Sequence, residues 1–261
     1  METWIRLSIF LGILALMLLW EARQPKRVAR VSRWHRWRSH LALILTSSVL
    51  MRLVAPVGLT GIALWVTENN WGVFNQFERP LWLAIALGLI ALDVVLYWQH
   101  RAFHRIPWLW RLHRVHHADP DFDVTTGVRF HPIEMLLSLA IKAATITLLG
   151  IPASAVLIFE VTLNACSLFN HGNVQLPPKL ESIVRKILIT QELHRIHHSS
   201  LKRETNSNYG FSVVWWDWLF GSYTDRASAG SDHVDIGLQA YRNEKQNTPY
   251  IELIKLPFYK K

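Results

Sequence analysis

The chain has 261 residues, of which 51% are hydrophobic and 18% charged, and it carries a formal net charge of +9. That balance, with several apolar runs near twenty residues, indicates an all-α integral membrane protein. The single cysteine, Cys166, lies in an apolar run as a small packing residue and excludes an intrachain disulfide or a cysteine-ligated zinc or iron–sulfur site.

The first apolar span runs from Trp4 to Trp20. It has little positive charge before it and no clear small-residue cleavage site after it, so it reads as an uncleaved anchor rather than a signal peptide. Seven cations follow between Glu21 and His40 (Arg23, Lys26, Arg27, Arg30, Arg33, Arg36, Arg38). A short basic loop between two spans fits the positive-inside rule better than an arm for nucleic acid, and no nucleic-acid partner is expected. The second span, Leu41 to Val66, tolerates a break near Pro56 and Gly58. Residues Glu68 to Pro80 form a polar connection, and the third span, Leu81 to Trp98, delivers the chain directly into His100. Two further apolar helices, Ile133 to Gly150 and Ile151 to Phe169, form a membrane hairpin turning at Gly150-Ile151-Pro152. From about Ser222 the sequence is polar and reads as a cytoplasmic tail, whose last stretch, Tyr250 to Tyr259, is suited to the membrane surface.

With the basic loop in the cytoplasm, span two exits and span three returns, leaving residues 99 to 132 inside. The hairpin exits and returns again, so His171 and all that follows share that side. The expectation is four to five transmembrane helices under a cytoplasmic, histidine-rich helical cap, in a bacterial inner membrane. Three regions follow: residues 1–80 as an N-terminal anchor, 81–240 as the catalytic domain and 241–261 as a tail.

The histidines supply the chemistry. His-x-x-His-His occurs twice, as His113, His116 and His117 in HRVHH and as His194, His197 and His198 in HRIHH, with His100 and His104 in HRAFH just upstream. On a helix i, i+3 and i+4 share a face, so each element offers two or three imidazoles to one point. Eight such ligands exceed the needs of one tetrahedral zinc, and the simplest reading is a site for two metals. Asp93, Tyr97, His100 and His104 form one helical stripe. Asp93 either accepts a hydrogen bond from a ligating histidine or makes an interhelical bond unconnected with metal. A second stripe carries Glu160 and Asn164 toward His171, a ninth candidate ligand. His131, in RFHPIE, either ligates, supports a ligand or starts the helix before Pro132. His35, His40 and His233 read as ordinary polar residues. Iron accepts imidazole ligands and activates oxygen at open coordination positions, so the metal site itself is the catalytic element. Such a pair facing lipid suits oxidation of an unactivated C–H bond.

These motifs resemble the fatty acid hydroxylase / sterol desaturase superfamily of membrane non-haem di-iron oxygenases. The resemblance rests on DVVLYWQHRAFH (93–104), LHRVHH (112–117), RFHP (129–132), FNHGN (169–173), LHRIHHS (193–199), NSNYG (206–210), WWDWLFGSY (215–223) and HVDIG (233–237). It implies a four-helix membrane core under a cytoplasmic cap holding two iron ions, with the eight histidines of the three packets as ligands. It also implies O2-dependent hydroxylation, desaturation or ether cleavage of a membrane lipid such as a sterol, fatty-acyl or alkyl lipid. Electrons would come from NAD(P)H through a separate carrier (cytochrome b5-like, ferredoxin or reductase), since the chain has no fused haem domain. The aromatic NSNYG and WWDWLFGSY segments read as packing of the cap or as an interfacial belt, with Gly210 and Gly221 serving turns.

Rival readings are a transmembrane metal-ion transporter, a bis-histidine haem carrier and a non-catalytic metal-binding membrane protein. A transporter wants ligands near the midplane, whereas these packets gather at one face. A haem carrier would place its ligands within facing spans.

Overall fold

Proline and glycine divide the apolar runs into helices. The computed structural model describes residues 2–259. The helices are α1 (Glu2–Arg23), α2 (Arg33–Val54), α3 (Gly58–Glu68), α4 (Leu81–Arg105), α5 (Pro107–His117), α6 (Pro132–Leu149), α7 (Ala153–Asn170), α8 (Pro178–Val184), α9 (Gln191–His197), α10 (Lys202–Thr205), α11 (Trp215–Leu219), α12 (Glu244–Asn247) and α13 (Tyr250–Lys255). Among the described residues there is no β-strand, only isolated bridges pairing Leu188 with Val213 and Ser199 with Ile236. The protein is all-α. Five segments are long and apolar enough to cross a membrane: Trp4–Arg23, Arg33–Gln76, Leu81–Arg105, Pro132–Leu149 and Ala153–Asn170. The second span breaks where expected, since α2 ends at Val54 and α3 resumes at Gly58 around Pro56.

At the end of the bundle away from the histidines, two glycines make a close contact that needs them both. Gly72 and Gly150 have φ of +84° and +73°, and a Cβ on Gly72 would come within 2.2 Å of the Gly150 nitrogen. The α6–α7 turn thus forms as predicted, but its arms diverge. Each packs on α3 and α4. The core here joins Leu59, Ala63, Leu92, Leu96, Ile146 and Phe159. Polar residues on α6 and α7 (Glu134, Ser138, Lys142, Asn164 and Ser167) line a cavity instead of an apolar seam.

The basic loop is more than a membrane-facing charge patch. Arg36 is fully buried, with Nε on Asp119 Oδ1 at 2.7 Å, Nη2 on Asp119 Oδ2 at 2.8 Å and Nη1 on Asp123 Oδ2 at 2.5 Å. Burial alone would raise the Asp119 pKa, but the Arg36 and Arg129 guanidiniums outweigh it and hold the carboxyl well below its usual value. The Arg30 backbone N–H donates to Asp121, and Lys26 pairs with Asp232. The loop therefore lies at the same end of the bundle as the segments that follow the histidine motifs. His40, expected to be unremarkable, joins this network through Thr125 at 2.9 Å and Arg129 at 3.1 Å.

The polar C-terminal stretch is not a loose tail. Tyr241, Leu253 and Leu256 are buried against Leu43 and Val115, so the amphipathic segment covers α2 and α5. Arg114 donates to the Leu256 carbonyl at 2.6 Å and Arg129 to that of Asn247 at 2.8 Å. Hydropathy missed this because only a few apolar residues, Tyr241, Leu253 and Leu256, make the buried side, while Ile251 and Phe258 stay exposed.

Candidate metal centre

Nine histidines meet at one end of the bundle, all buried. His100 and His104 come from the last turns of α4, His113, His116 and His117 from α5, His171 from the C-cap of α7, and His194, His197 and His198 from α9 and its C-cap. They form two groups: His100, His104, His113, His117 and His197, and His116, His171, His194 and His198. Within each group one ring nitrogen per residue lies within 4.8 Å of the others. The groups adjoin, with the His117 and His198 rings stacked at 4.5 Å.

Each pentad brings two imidazoles to one point, as its helical spacing implies, and sends the third to the other group. In HRVHH, His113 and His117 enter the first group while His116 enters the second; in HRIHH, His194 and His198 enter the second while His197 enters the first. An i, i+4 pair stays together because it is offset by about 40° on the helix, whereas the i+3 residue falls about 60° to the other side of the first. Two short helices with the same motif thereby each bridge both groups.

Tautomers follow from what each Nδ1 touches. The His100 Nδ1 donates to the Tyr209 carbonyl at 2.8 Å, that of His197 to the Ser207 carbonyl at 2.7 Å, and that of His171 to the Ser167 carbonyl at 2.7 Å. The His113 Nδ1 donates to Glu134 Oε1 at 2.6 Å. Carbonyl oxygens only accept, so the proton sits on Nδ1 and the Nε2 lone pair points inward. These Nε2 atoms face one another: His100 to His113 and to His197 at 3.1 Å, and His171 to His116 at 3.1 Å and to His194 at 2.9 Å. Burial pushes His197 down to about 3 and His171 down to about 4, and together with neighbouring rings it holds His116, His117, His194 and His198 well below the usual imidazole value.

Where both rings carry the proton on Nδ1, as for His100 with His113 and with His197, two Nε2 lone pairs face each other and repel unless a cation lies between them. Adjacent ligands on metal–imidazole bonds of ~2.1 Å stand ~3.0 Å apart at right angles. Both nitrogens of His104 and of His117 also lack any hydrogen-bond partner. The donor set therefore fits two metal ions, one per group, and imidazole nitrogen is a ligand that iron accepts along with copper, nickel and zinc.

The other sequence candidates lie elsewhere. The His131 Nδ1 accepts from the Ile133 N–H, capping α6, and Nε2 lies 3.2 Å from the Ile254 carbonyl, outside both groups. Asp93 touches no histidine; it accepts from Trp216 Nε1 at 2.7 Å, joining α4 to α11. The Tyr97 hydroxyl bonds to Ser222 Oγ at 2.7 Å, bracing the segment that holds Tyr209. Glu160 pairs with Arg6 at 2.8 Å, and Asn164 Nδ2 donates to the Glu160 carbonyl at 2.9 Å.

Two supports escaped sequence reasoning. Glu134 stands in the first turn of α6, where no motif singles it out. The NSNYG loop, read as packing, instead carries the Ser207 and Tyr209 carbonyls on either side of Asn208, which adopts φ of +49°. Its side chain donates to the Leu193 and Thr224 carbonyls at 3.0 Å. Asp217 holds the same loop, accepting from the Tyr209 N–H at 2.7 Å, the Gly210 N–H at 2.8 Å and Ser222 Oγ at 2.6 Å. A Cβ at Gly210 would press within 2.8 Å of the Asp217 carboxylate.

A mainly apolar cavity leads into the membrane body from His100 and His113, lined in part by Leu96, Phe103, Phe130 and Leu163.

The family model for fatty acid hydroxylase matches residues 85–222. The chain is 31% identical to an ornithine lipid hydroxylase of Rhizobium tropici over 236 residues, covering 88% of this chain and 70% of that protein. It is 26% identical to a putative Delta(7)-sterol-C5(6)-desaturase of Arabidopsis thaliana, covering 63% and 58%, and 25% identical to the human alkylglycerol monooxygenase, covering 74% and 42%. It thus spans less than two thirds of the length of the latter two. No solved structure matches it. With the motif-bearing helices matched from α4 to the end of the NSNYG–WWDWLFGS region, this integral membrane chain belongs to the fatty acid hydroxylase family of lipid-modifying oxidoreductases.

Proposed function

We propose that this protein is a di-iron oxygenase that hydroxylates, or alternatively desaturates, a membrane lipid in the cavity below its two histidine groups. The observation that carries this reading is the inward convergence of imidazole Nε2 atoms at 2.9 to 3.1 Å at the head of that cavity, those of His100, His113 and His197 as facing lone pairs. His100, His104, His113, His117 and His197 would hold one iron and His116, His171, His194 and His198 the other. Bound iron would supply the reductive activation of O2 needed to oxidise an unactivated C–H bond.

The chain's residues supply the rest. Backbone carbonyls and Glu134 keep four imidazoles in the ligating tautomer and fix their planes. Phe130 stacks on His116 at 4.4 Å, placing an apolar wall beside the second group. Phe103 and Leu96 line the way to His100 and keep water from the reacting carbon. A separate groove lined by His104, Arg105, Trp110 and Lys202 reaches the first group from another direction. Trp110 lies 5.1 Å from His104 and 5.5 Å from His117, so this basic groove suits an external electron donor with an acidic face. Both groups sit side by side at one end of the bundle, which serves a lipid-facing reaction better than a transport path. We place that end in the cytoplasm of a bacterial inner membrane because the basic loop shares it.

Purified protein is expected to carry close to two irons per chain, and cells carrying the gene to contain an oxygenated or unsaturated lipid that disappears on deletion. His116→Ala and His197→Ala should each abolish that lipid and lower the iron content. One zinc per chain with no oxygen consumption, or product surviving either substitution, would rule the reading out.

A further inference from the structure

The Glu134 carboxylate is only half used. Oε1 accepts from the His113 Nδ1–H at 2.6 Å, whereas Oε2 is buried with no hydrogen-bond partner, on a residue that lines the cavity at 5% exposure. One turn further along the same face of α6, Ser138 Oγ accepts from Gln99 Nε2 at 3.1 Å, which leaves Gln99 Oε1 buried and unpartnered. Ser47 Oγ, 2% exposed on α2, is unpartnered as well. All of these residues line the one cavity, whose walls are otherwise mainly apolar. Lys142, two turns beyond Glu134, has its counter-charge in Glu160. The free oxygens of Glu134 and Gln99 can only accept. A hydrocarbon chain, an ester or an ether brings them no hydrogen and leaves them desolvated and unpaired, which is costly. A hydroxyl or an amide N–H satisfies them.

We propose that Glu134 Oε2 is the specificity-determining group of the cavity and selects a lipid that donates a hydrogen bond, from a hydroxyl or an amide N–H, close to the carbon that reacts. This rests on the reading of the cavity as the lipid site. Closeness follows from how Glu134 is held. Its other oxygen grips the ring whose Nε2 faces the first histidine group, so a donor on Oε2 stands one carboxyl group and one imidazole from that group's centre. The four residues from Glu134 to Ser138 rise ~6 Å along α6, so Gln99 Oε1 is placed for a second donor on the same polar head. The carbon oxidised therefore lies near the head of the lipid and not midway along its chain.

Equilibrium binding to the iron-loaded full chain in a neutral detergent, with no reductant so that nothing turns over, tests this with two pairs of probes. Hexadecanol is compared with 1-methoxyhexadecane, and N-hexadecylacetamide with its N-methyl derivative. Each pair keeps the chain and the acceptor oxygen and differs in the donated hydrogen. In at least one pair the donor should bind about tenfold more tightly or better, and the pair that shows it identifies the group. Glu134→Leu should bring that ratio close to one. His113→Ala disturbs the same histidine group but keeps the carboxylate, so it should retain the ratio. Ratios near one in both pairs for the wild-type protein, a ratio that survives Glu134→Leu, or one lost in His113→Ala overturns the proposal and leaves the lipid cavity standing. Failure of all four probes to bind overturns both. Since the wild-type ratios alone can refute the site, a variant that misfolds does not shield it.

Discussion

His113 shows how a ligand depends on what lies behind it. Its Nε2 faces the first group, while its Nδ1 hydrogen is held by the Glu134 carboxylate at 2.6 Å, which fixes the ring plane and its tautomer. Glu134→Gln keeps the size of the side chain and removes the charge. The expected result is a loss of about 10- to 100-fold in metal affinity at the first group, with the second group retained. Competition against a chelator, followed group by group through the iron spectrum, measures this, and unchanged affinity would remove Glu134 from the site. The nine histidines were legible because imidazole is a rare side chain with distinctive chemistry. Glu134 was not, because an acid in the first turn of a helix is so often there only for the helix dipole.

At the scale of elements, the loop between α10 and α11 does what no single motif announced. Asn208, in the left-handed region, turns the Ser207 and Tyr209 carbonyls toward His197 and His100, and Asp217 on α11 clamps the turn. Asp217→Ala would leave two backbone N–H groups and a hydroxyl unpaired in a buried site, a loss of about 3 kcal/mol or more. Thermal unfolding should shift down accordingly, and iron should be lost first from the group containing His100 and His197. An unchanged melting temperature and full iron content would show that the loop holds itself. The pentads teach a related lesson about elements. Helical spacing correctly placed each motif near the site, yet division of each motif between two groups depends on how α5 and α9 face one another across it.

For the whole molecule, the decisive relation is between the basic loop and the histidine end. Charge bias and alternation of spans put them on one side of the membrane, and the buried contacts of Arg36 with Asp119 and Asp123 join them there. Single cysteines introduced in a Cys166→Ala background should report this arrangement. Val28→Cys, at a site 91% exposed in the loop, and Leu201→Cys, just after the second pentad, should label from the cytoplasmic side; Phe77→Cys, 68% exposed at the opposite end, should label from outside. Labelling of Val28→Cys and Leu201→Cys from different sides would overturn the topology. The C-terminal segment belongs to this scale too. Its apolar residues are too few for hydropathy to mark as structural, and only packing against Leu43 and Val115 reveals their place.

From the sequence alone came the membrane spans, the break at Pro56, the histidine set and its gathering at one end, because each is written in side-chain chemistry or in the regular periods of helices and bilayers. Tertiary structure decided the rest: the split of each pentad, the carbonyls that fix the ring tautomers, the divergence of α6 from α7, and the placing of Lys142 in the cavity wall. Every residue owns a carbonyl, so nothing in its identity says which histidine it will hold. A lysine in an apolar run likewise shows that it stands at a cavity wall only once the helices have packed.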